Sequence, residues 1–250
     1  MSFKNECAII TGASRGIGRA TALGLAAKGS YISIFDINEQ GARQTASLIE
    51  DNFGQKVFVK KVDISKQEQV NQAVRETEEK FGNIHLLVNN AAIVNTTPFS
   101  EISLDEWQKV LDINLTGAFY CIKAVLPYMI KERKGKIVNV ASIAAKVGGG
   151  LFGNVSYAVS KAGLVCLTKG VAKEMASYGI NVNAIAPSAT DTEMIKDFTG
   201  PKREAFIQSL PMGRVASPEE MASAIIFLLS DEASYITGEI MDVNGGLYMD

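Results

Sequence analysis

Histidine is almost missing from this chain of 250 residues, which carries one, His85. A Ser–His–Asp triad needs a histidine free to move protons, and a histidine-rich metal site needs several. His85 lies between Ile84 and Leu86 in a strand-like apolar run. Neither arrangement is expected, no metal site is called, and any acid–base chemistry must use other groups. Cysteine is scarce as well. Cys7, Cys121 and Cys166 are scattered and odd in number, each in an apolar setting. That predicts buried free thiols in a reducing cytoplasm and no disulfide framework. An excess of one charge is also lacking: 25 Lys and Arg oppose 27 Asp and Glu, a net charge of −2. Nothing draws such a chain to nucleic acid or an anionic membrane. No run approaches the roughly 18 apolar residues of a membrane span. The opening Met-Ser-Phe-Lys-Asn-Glu-Cys leads straight into an apolar strand, so no secretory leader is expected. Linkers, repeats and low-complexity segments are absent, which predicts one domain over residues 1–250.

What the chain does have is alternation. Continuous apolar runs at residues 7–10, 31–35, 57–62, 84–88, 136–140, 180–185 and 239–243 read as strands covered on both faces. The segments between them carry helical spacing. Ser65 with Glu68, Ser103 with Glu106, and Ser217 with Glu220 read as capping boxes. Pro218 occupies the first helical position of the third. The second box opens a long helix through Trp107, Val110, Leu111, Leu115 and Phe119. The predicted fold class is α/β, a Rossmann-type doubly wound parallel sheet of about seven strands with helices on both faces.

In such folds ligands bind beyond the carboxyl ends of the strands. The first strand ends in Thr11-Gly12-Ala13-Ser14-Arg15-Gly16-Ile17-Gly18 and passes directly into a helical pattern. Free N–H groups and the helix dipole make such a turn an anion site, and the glycines allow tight turning and close approach. The spacing G-x-x-x-G-x-G differs from the usual dinucleotide and phosphate-loop fingerprints, and a ligand-free strand-to-helix turn is the competing reading. The second strand ends in Asp36, placed to accept hydrogen bonds from a ribose 2′-hydroxyl and to repel a 2′-phosphate. NAD is therefore expected over NADP; a turn or helix-capping aspartate is the alternative. The third strand ends in Asp63-Ile64, the fourth in Asn89-Asn90-Ala91-Ala92, the fifth in Ala141-Ser142.

Tyr157 and Lys161 are four apart, hence on one face of a helix. Tyrosine loses its proton near about pH 10. A neighbouring ammonium favours the phenolate, so Lys161 is expected to lower that value and let Tyr157 exchange protons. Ser142 is placed to hydrogen-bond a substrate oxygen. Alone, Y-x-x-x-K is most often a surface pair; here it follows a strand ending in serine in a chain opened by a phosphate turn.

With these residues in place the chain resembles the short-chain dehydrogenase/reductase family over essentially its full length. Thr11-Gly12-x-x-x-Gly16-Ile17-Gly18 matches the family's opening motif, and Asn89-Asn90-Ala91-Ala92 its N-N-A-G with alanine at the last place. Asn114, Ser142, Tyr157 and Lys161 match its catalytic set; Ile236-Thr237-Gly238 and Asn244-Gly245-Gly246 match its C-terminal pattern. The resemblance implies hydride transfer between a nicotinamide and a substrate carbon. Tyr157 would be general acid/base, Lys161 would assist it and bind ribose, Ser142 would orient the substrate oxygen, and Asn114 would hold a relay water. It also implies that the dinucleotide contacts Gly12, Ser14, Arg15, Gly16, Ile17, Gly18, Asp36, Ile37, Asp63, Ile64, Asn90, Ala91, Pro187, Thr190 and Thr192, besides Tyr157 and Lys161. Ser188 replaces the usual glycine after Pro187, and Gly148-Gly149-Gly150 lengthens the loop from Ser142 to Tyr157.

Val94, Ala144, Phe152, Asn154, Ala189, Met194 and Phe198 follow strand ends and are expected to line the substrate pocket, with residues 188–214 as a flap over it. The overall pattern is most similar to 3-oxoacyl-[acyl-carrier-protein] reductases, which mostly use NADP and grip the carrier with basic residues. Arg133 matches one such position, but Tyr178 stands at the other. The expected function is thus NAD(H)-dependent interconversion of a small-molecule secondary alcohol and ketone. The alternative is 3-oxoacyl-thioester reduction with NADP(H). Apolar residues on several sides of the helices around 107–128 and 157–178, with the family's usual assembly, predict a homotetramer.

Overall fold

The computed structural model describes residues 1–150, 153–193 and 199–249. The apolar runs form β1 (Cys7–Thr11), β2 (Tyr31–Asp36), β3 (Val57–Lys61), β4 (Leu86–Asn89), β5 (Gly135–Val140), β6 (Ile180–Pro187) and β7 (Ile240–Val243). Among the described residues they make one parallel sheet in the order β3-β2-β1-β4-β5-β6-β7. The order reverses between β1 and β4, which is where a doubly wound sheet opens a crevice at its carboxyl edge.

Strand pleating divides the core. Ala8 and Ile10 of β1, Ile32 and Ile34 of β2, and Leu86 and Val88 of β4 face one layer. Ile9, Phe35 and Leu87 face the other, as alternation of side chains across a strand requires. The first layer is closed by α1 (Gly16–Ala26), α2 (Glu39–Phe53) and, later in the chain, the helix at Pro218–Leu229. The second is closed by α3 (Gln67–Phe81), the helices between β4 and β5, and the long helix after Ser142. Burial on both faces is why the central strands are mostly apolar, whereas the edge strands β3, which ends in Lys60 and Lys61, and β7 are only partly covered.

The helix expected from Ser103 onward is interrupted. It runs as α4 (Leu104–Leu111), a π turn at Asp112–Thr116, and α5 (Gly117–Glu132). The stretch 104–132 has the length and composition of a membrane-crossing helix, although no run of uninterrupted apolar residues marks it. Its Ala118, Cys121, Ile122, Val125 and Met129 are buried in the core. After β5 come α6 (Ala144–Val147) and α7 (Val155–Met175), then α8 (Pro201–Ser209) and α9 (Pro218–Leu229).

Of the capping boxes, only Ser217 with Glu220 closes fully. Ser103 caps Glu106 N, but the Glu106 carboxylate turns to Thr97 and Asn154 instead. Ser65 does not cap at all: its hydroxyl donates to Asp63 Oδ1 at 2.7 Å, and α3 begins two residues later. Cys7 and Cys121 are buried free thiols, whereas Cys166 is exposed. The apolar residues of α7 do not lie on one face, and Cys166 falls on the outer side with Val159.

Candidate active site

The turn after β1 is stapled to the turn after β4. Thr11 Oγ1 accepts from the main-chain N–H of Asn90 at 3.0 Å and of Ala91 at 3.1 Å. Asn90 Nδ2 donates to the carbonyls of Thr11 and Gly12 at 3.0 and 2.9 Å. Gly12 sits at φ +69°, where a Cβ would lie 2.8 Å from Ala91 Cα. Gly18 packs behind the turn, and a Cβ there would meet the Gly12 carbonyl oxygen at 2.4 Å. Gly18→Ala is therefore expected to force the turn off the helix, at a cost of about 1–3 kcal/mol. Thermal melting should fall and the dinucleotide KM rise; an unchanged melt would show the turn to be slack.

Arg15, extended at the N-cap of α1, makes no capping side-chain bond. The first-turn N–H groups of α1 are thus left for a ligand, the arrangement that binds a phosphate. Beyond them Asp36 is held rigid at the end of β2. Its Oδ2 accepts from Ser14 N at 2.9 Å and its Oδ1 from Asn38 N at 2.8 Å. The side chain is nearly buried yet lines the cavity with Ile37. Each carboxylate oxygen retains a lone pair for a hydroxyl.

The chemical group lies at the carboxyl end of β5 and the start of α7. Asn154 caps α7, accepting from Tyr157 N at 3.2 Å. Lys161, one turn on, is buried; its Nζ donates to Val140 O at 2.6 Å and lies 5.6 Å from the centroid of the Tyr157 ring. Ser142 hydrogen-bonds the phenol, which favours the phenolate, but burial outweighs this and pushes the Tyr157 hydroxyl up. The expected lowering of Tyr157 is not found in the chain by itself. Desolvation acts on the lysine instead, bringing it from 10.5 down to about 8.

Below pH 8 the folded chain thus carries a charge that the unfolded chain holds at less cost. Between about 8 and 10.5 the folded state releases that proton while the unfolded state keeps it, so stability gains with pH across this window. Lys161→Met is expected to be inactive but more stable at pH 7 by about 2 kcal/mol, after the lost bond to Val140 is counted. Its advantage in melting temperature should fade above pH 8. A variant destabilised at every pH would contradict a strained lysine.

Asn114 stands in the π turn, a local widening of the helix often found at functional sites. Its Oδ1 accepts from Ile93 N at 2.8 Å, and its Nδ2 donates to Ile93 O at 2.9 Å and Ser160 Oγ at 3.1 Å. With the side chain so engaged, it joins the turn after β4 to α7.

A cavity of about 900 Å3 joins these parts. Of the expected residues, Gly12, Ser14, Arg15, Gly16, Ile17, Asp36, Ile37, Asp63, Ile64, Asn90 and Ala91 line it, as do Ser142, Ala144, Tyr157, Lys161, Pro187, Ala189, Thr190 and Thr192. Gly18 and Asn114 lie behind its wall. Val94 is not in the lining, and Asn154 is turned away: its Nδ2 donates to Thr97 O and Glu106 Oε1, so its work is capping. Phe152, Met194 and Phe198 fall outside the described residues. The sequence reading missed Ile93, Ile143, Val147, Phe206 and Leu247, which add apolar surface to the cavity, and Lys109 and Glu193, which add charge. Ile93 and Ile143 follow residues already marked at strand ends and could have been found; nothing local marks Phe206 or Leu247.

Arg133 is placed away from all of this. It ends α5 in a left-handed conformation, just before β5, and its guanidinium donates to Ser177 O at 2.7 Å. Ser142 follows the opposite end of that strand.

Known proteins carry the same organisation. The family model described as enoyl-(acyl carrier protein) reductase matches residues 12–248. The chain is 40% identical over 246 residues to a 3-oxoacyl-[acyl-carrier-protein] reductase of Synechocystis, covering 98% of this chain and 97% of that protein. It is 38% identical over 249 residues to the 3-oxoacyl-[acyl-carrier-protein] reductase FabG of Vibrio cholerae, covering 100% of each. The crystal structure of levodione reductase superposes with a TM-score of 0.93 at 36% identity, covering 98% of both chains. With the glycine turn and the Ser142–Tyr157–Lys161 group on one cavity, these likenesses lead to one conclusion: the chain belongs to the short-chain dehydrogenase/reductase family and is a nicotinamide-dependent oxidoreductase of alcohol and keto groups.

Proposed function

We propose that this chain reduces the keto group of a 3-oxoacyl thioester to the alcohol, with NADH as reductant. The substrate half of the reading rests on the full-length likeness to 3-oxoacyl-[acyl-carrier-protein] reductases. The apolar Val147, Phe206 and Leu247 in the cavity lining, which suit an acyl chain, support it. The cofactor half rests on Asp36, whose fixed carboxylate suits a ribose diol and opposes a 2′-phosphate. The nicotinamide, when bound, supplies the hydride.

The chain's own residues do the rest. The α1 N-terminus and the glycine turn bind the pyrophosphate. Ser142 Oγ donates a hydrogen bond to the keto oxygen and orients it. Tyr157 Oη gives its proton to that oxygen as the alcohol forms, leaving a phenolate. The buried Lys161 ammonium stabilises this phenolate, and below pH 8 it carries the charge to do so. Asn114 fixes the turn after β4 against α7 and so positions Tyr157. Ala189, Thr190, Thr192 and Phe206 line the cavity from the segments on either side of residues 194–198, which fall outside the described residues, and the expected flap over 188–214 would use them to cover the substrate.

A small secondary alcohol/ketone pair is the second reading, favoured by the position of Arg133 away from the cavity and by the likeness to levodione reductase. Assays of NADH and NADPH oxidation with a 3-oxoacyl thioester and with small cyclic and acyclic ketones separate the two. Thioester turnover with NADH is the expected result; turnover of the ketones alone would favour the second reading. Half-exposed Phe119 and Val159, on α5 and α7, support a homotetramer through these helices. Light scattering at assay concentration tests it, and a monomer there would refute it.

A further inference from the structure

After β7 the chain turns back on itself. Asn244 makes the turn: its buried side chain accepts from Gly246 N at 3.0 Å through Oδ1 and donates to Tyr248 O at 2.9 Å through Nδ2. Gly245 and Gly246 follow at φ +64° and +80°, a conformation side chains rarely adopt. One side of the turn lies on the segment after α8, where a Cβ at Gly246 would be 3.4 Å from Pro211. On the other side α6 reaches it. Lys146 Nζ donates to Asp242 Oδ2 at 2.7 Å, with both side chains largely shielded from solvent, and stands 5.2 Å from the centroid of the Tyr248 ring. The C-terminal turn is therefore clamped between α6 and the end of α8, and Leu247 lines the cavity from it.

Sheet order fixes which end of the cavity this is. Asp36 ends β2, on one side of the β1–β4 crevice, whereas β7 is the edge strand on the other side, beyond β5 and β6. Leu247 thus stands at the substrate end, together with Val147 of α6 and Phe206 of α8.

We propose that Leu247 is a specificity-determining residue: with Val147 and Phe206 it forms an apolar wall that sets how long an acyl chain the cavity takes. Lys146 is the positioning residue that holds this wall. The inference rests on the thioester reading above and deepens it. The physical reason is that an apolar wall discriminates by chain length only while it resists displacement. The ion pair and ring contact of Lys146 bind the turn at the place where a growing chain would push it outward.

The test uses 3-oxoacyl thioesters of N-acetylcysteamine with short, medium and long chains, and NADH. Leu247→Ala is expected to raise kcat/KM for the medium chain relative to the short one by about tenfold, and Leu247→Trp to lower that ratio by about as much. Lys146→Met, which removes the clamp and touches no substrate, should shift the profile in the same direction as Leu247→Ala. The KM for NADH should not follow the chain-length ratio, which separates a local wall from general loosening. Opposed shifts in the two Leu247 variants cannot arise from misfolding alone. A parent enzyme that turns over none of the thioesters would overturn the thioester reading and this inference with it. A parent that turns them over, with a length profile unmoved in all three variants, would overturn the inference alone.

Discussion

Replacing Tyr157 with phenylalanine is expected to lower kcat by about 10²- to 10⁴-fold, the usual contribution of a positioned proton donor. The ring remains in place beneath Lys161, and the cap from Asn154 acts on the main chain of residue 157, so the fold has no reason to change. Only the proton is removed. Dinucleotide affinity, measured by calorimetry, should stay within a few-fold of the parent. The parent hydroxyl sits in a desolvated site with Ser142 as its hydrogen-bond partner, so the variant should melt no lower than the parent. Turnover is followed by nicotinamide absorbance. A rate within tenfold of the parent would remove Tyr157 from the proton-transfer step and leave Lys161, with its depressed value of about 8, as the nearest alternative donor.

The second large effect is expected at Asp36. Asp36→Asn keeps an oxygen for one of the two main-chain donors, Ser14 N or Asn38 N, but removes the charge. A charge-assisted bond to a ribose hydroxyl is worth about 1.5–3 kcal/mol, and a phosphate forced against a carboxylate costs several kcal/mol. The ratio of kcat/KM for NADPH over NADH should therefore rise about a hundredfold. The parent, tested alongside, should prefer NADH. A parent that prefers NADPH, or a variant with unchanged preference, would show that Arg15 and the turn main chain outweigh Asp36. Steady-state kinetics with both cofactors decides the matter without knowledge of the natural substrate, since any reducible ketone serves.

How much of this was legible beforehand follows from the range of the interactions involved. The strands were readable because burial on both faces demands continuous apolar runs, and each of the seven lies within two residues of its expected bounds. The glycine turn after β1 was readable because glycine is required at particular places within a few residues. Side-chain choices among competing partners were not. Ser65, Glu106 and Asn154 all sit at helix starts with capping chemistry, yet Ser65 bonds Asp63, and Glu106 leaves its own cap for Asn154. Local spacing cannot rank a neighbour in sequence against one brought close by the fold. The π turn at Asp112–Thr116 was hidden for the same reason: the Asn114 side chain it presents is held by Ile93 and Ser160, which lie on other segments.

The sequence by itself determined the family and the doubly wound sheet, and it named the side chains that the fold gathers at the end of β5 and the start of α7, because each is encoded by residue types at short, fixed spacings. Only the tertiary structure decided the electrostatics of that group and the substrate end of the cavity. Burial of Tyr157 and Lys161 depends on how α7 packs against β5, and desolvation reversed the shift that a neighbouring ammonium alone would produce on the tyrosine. Phe206 and Leu247 come from segments far apart in the chain and line one cavity only through the placement of α8 and the C-terminal turn, an arrangement set by long-range packing with no local mark in the sequence.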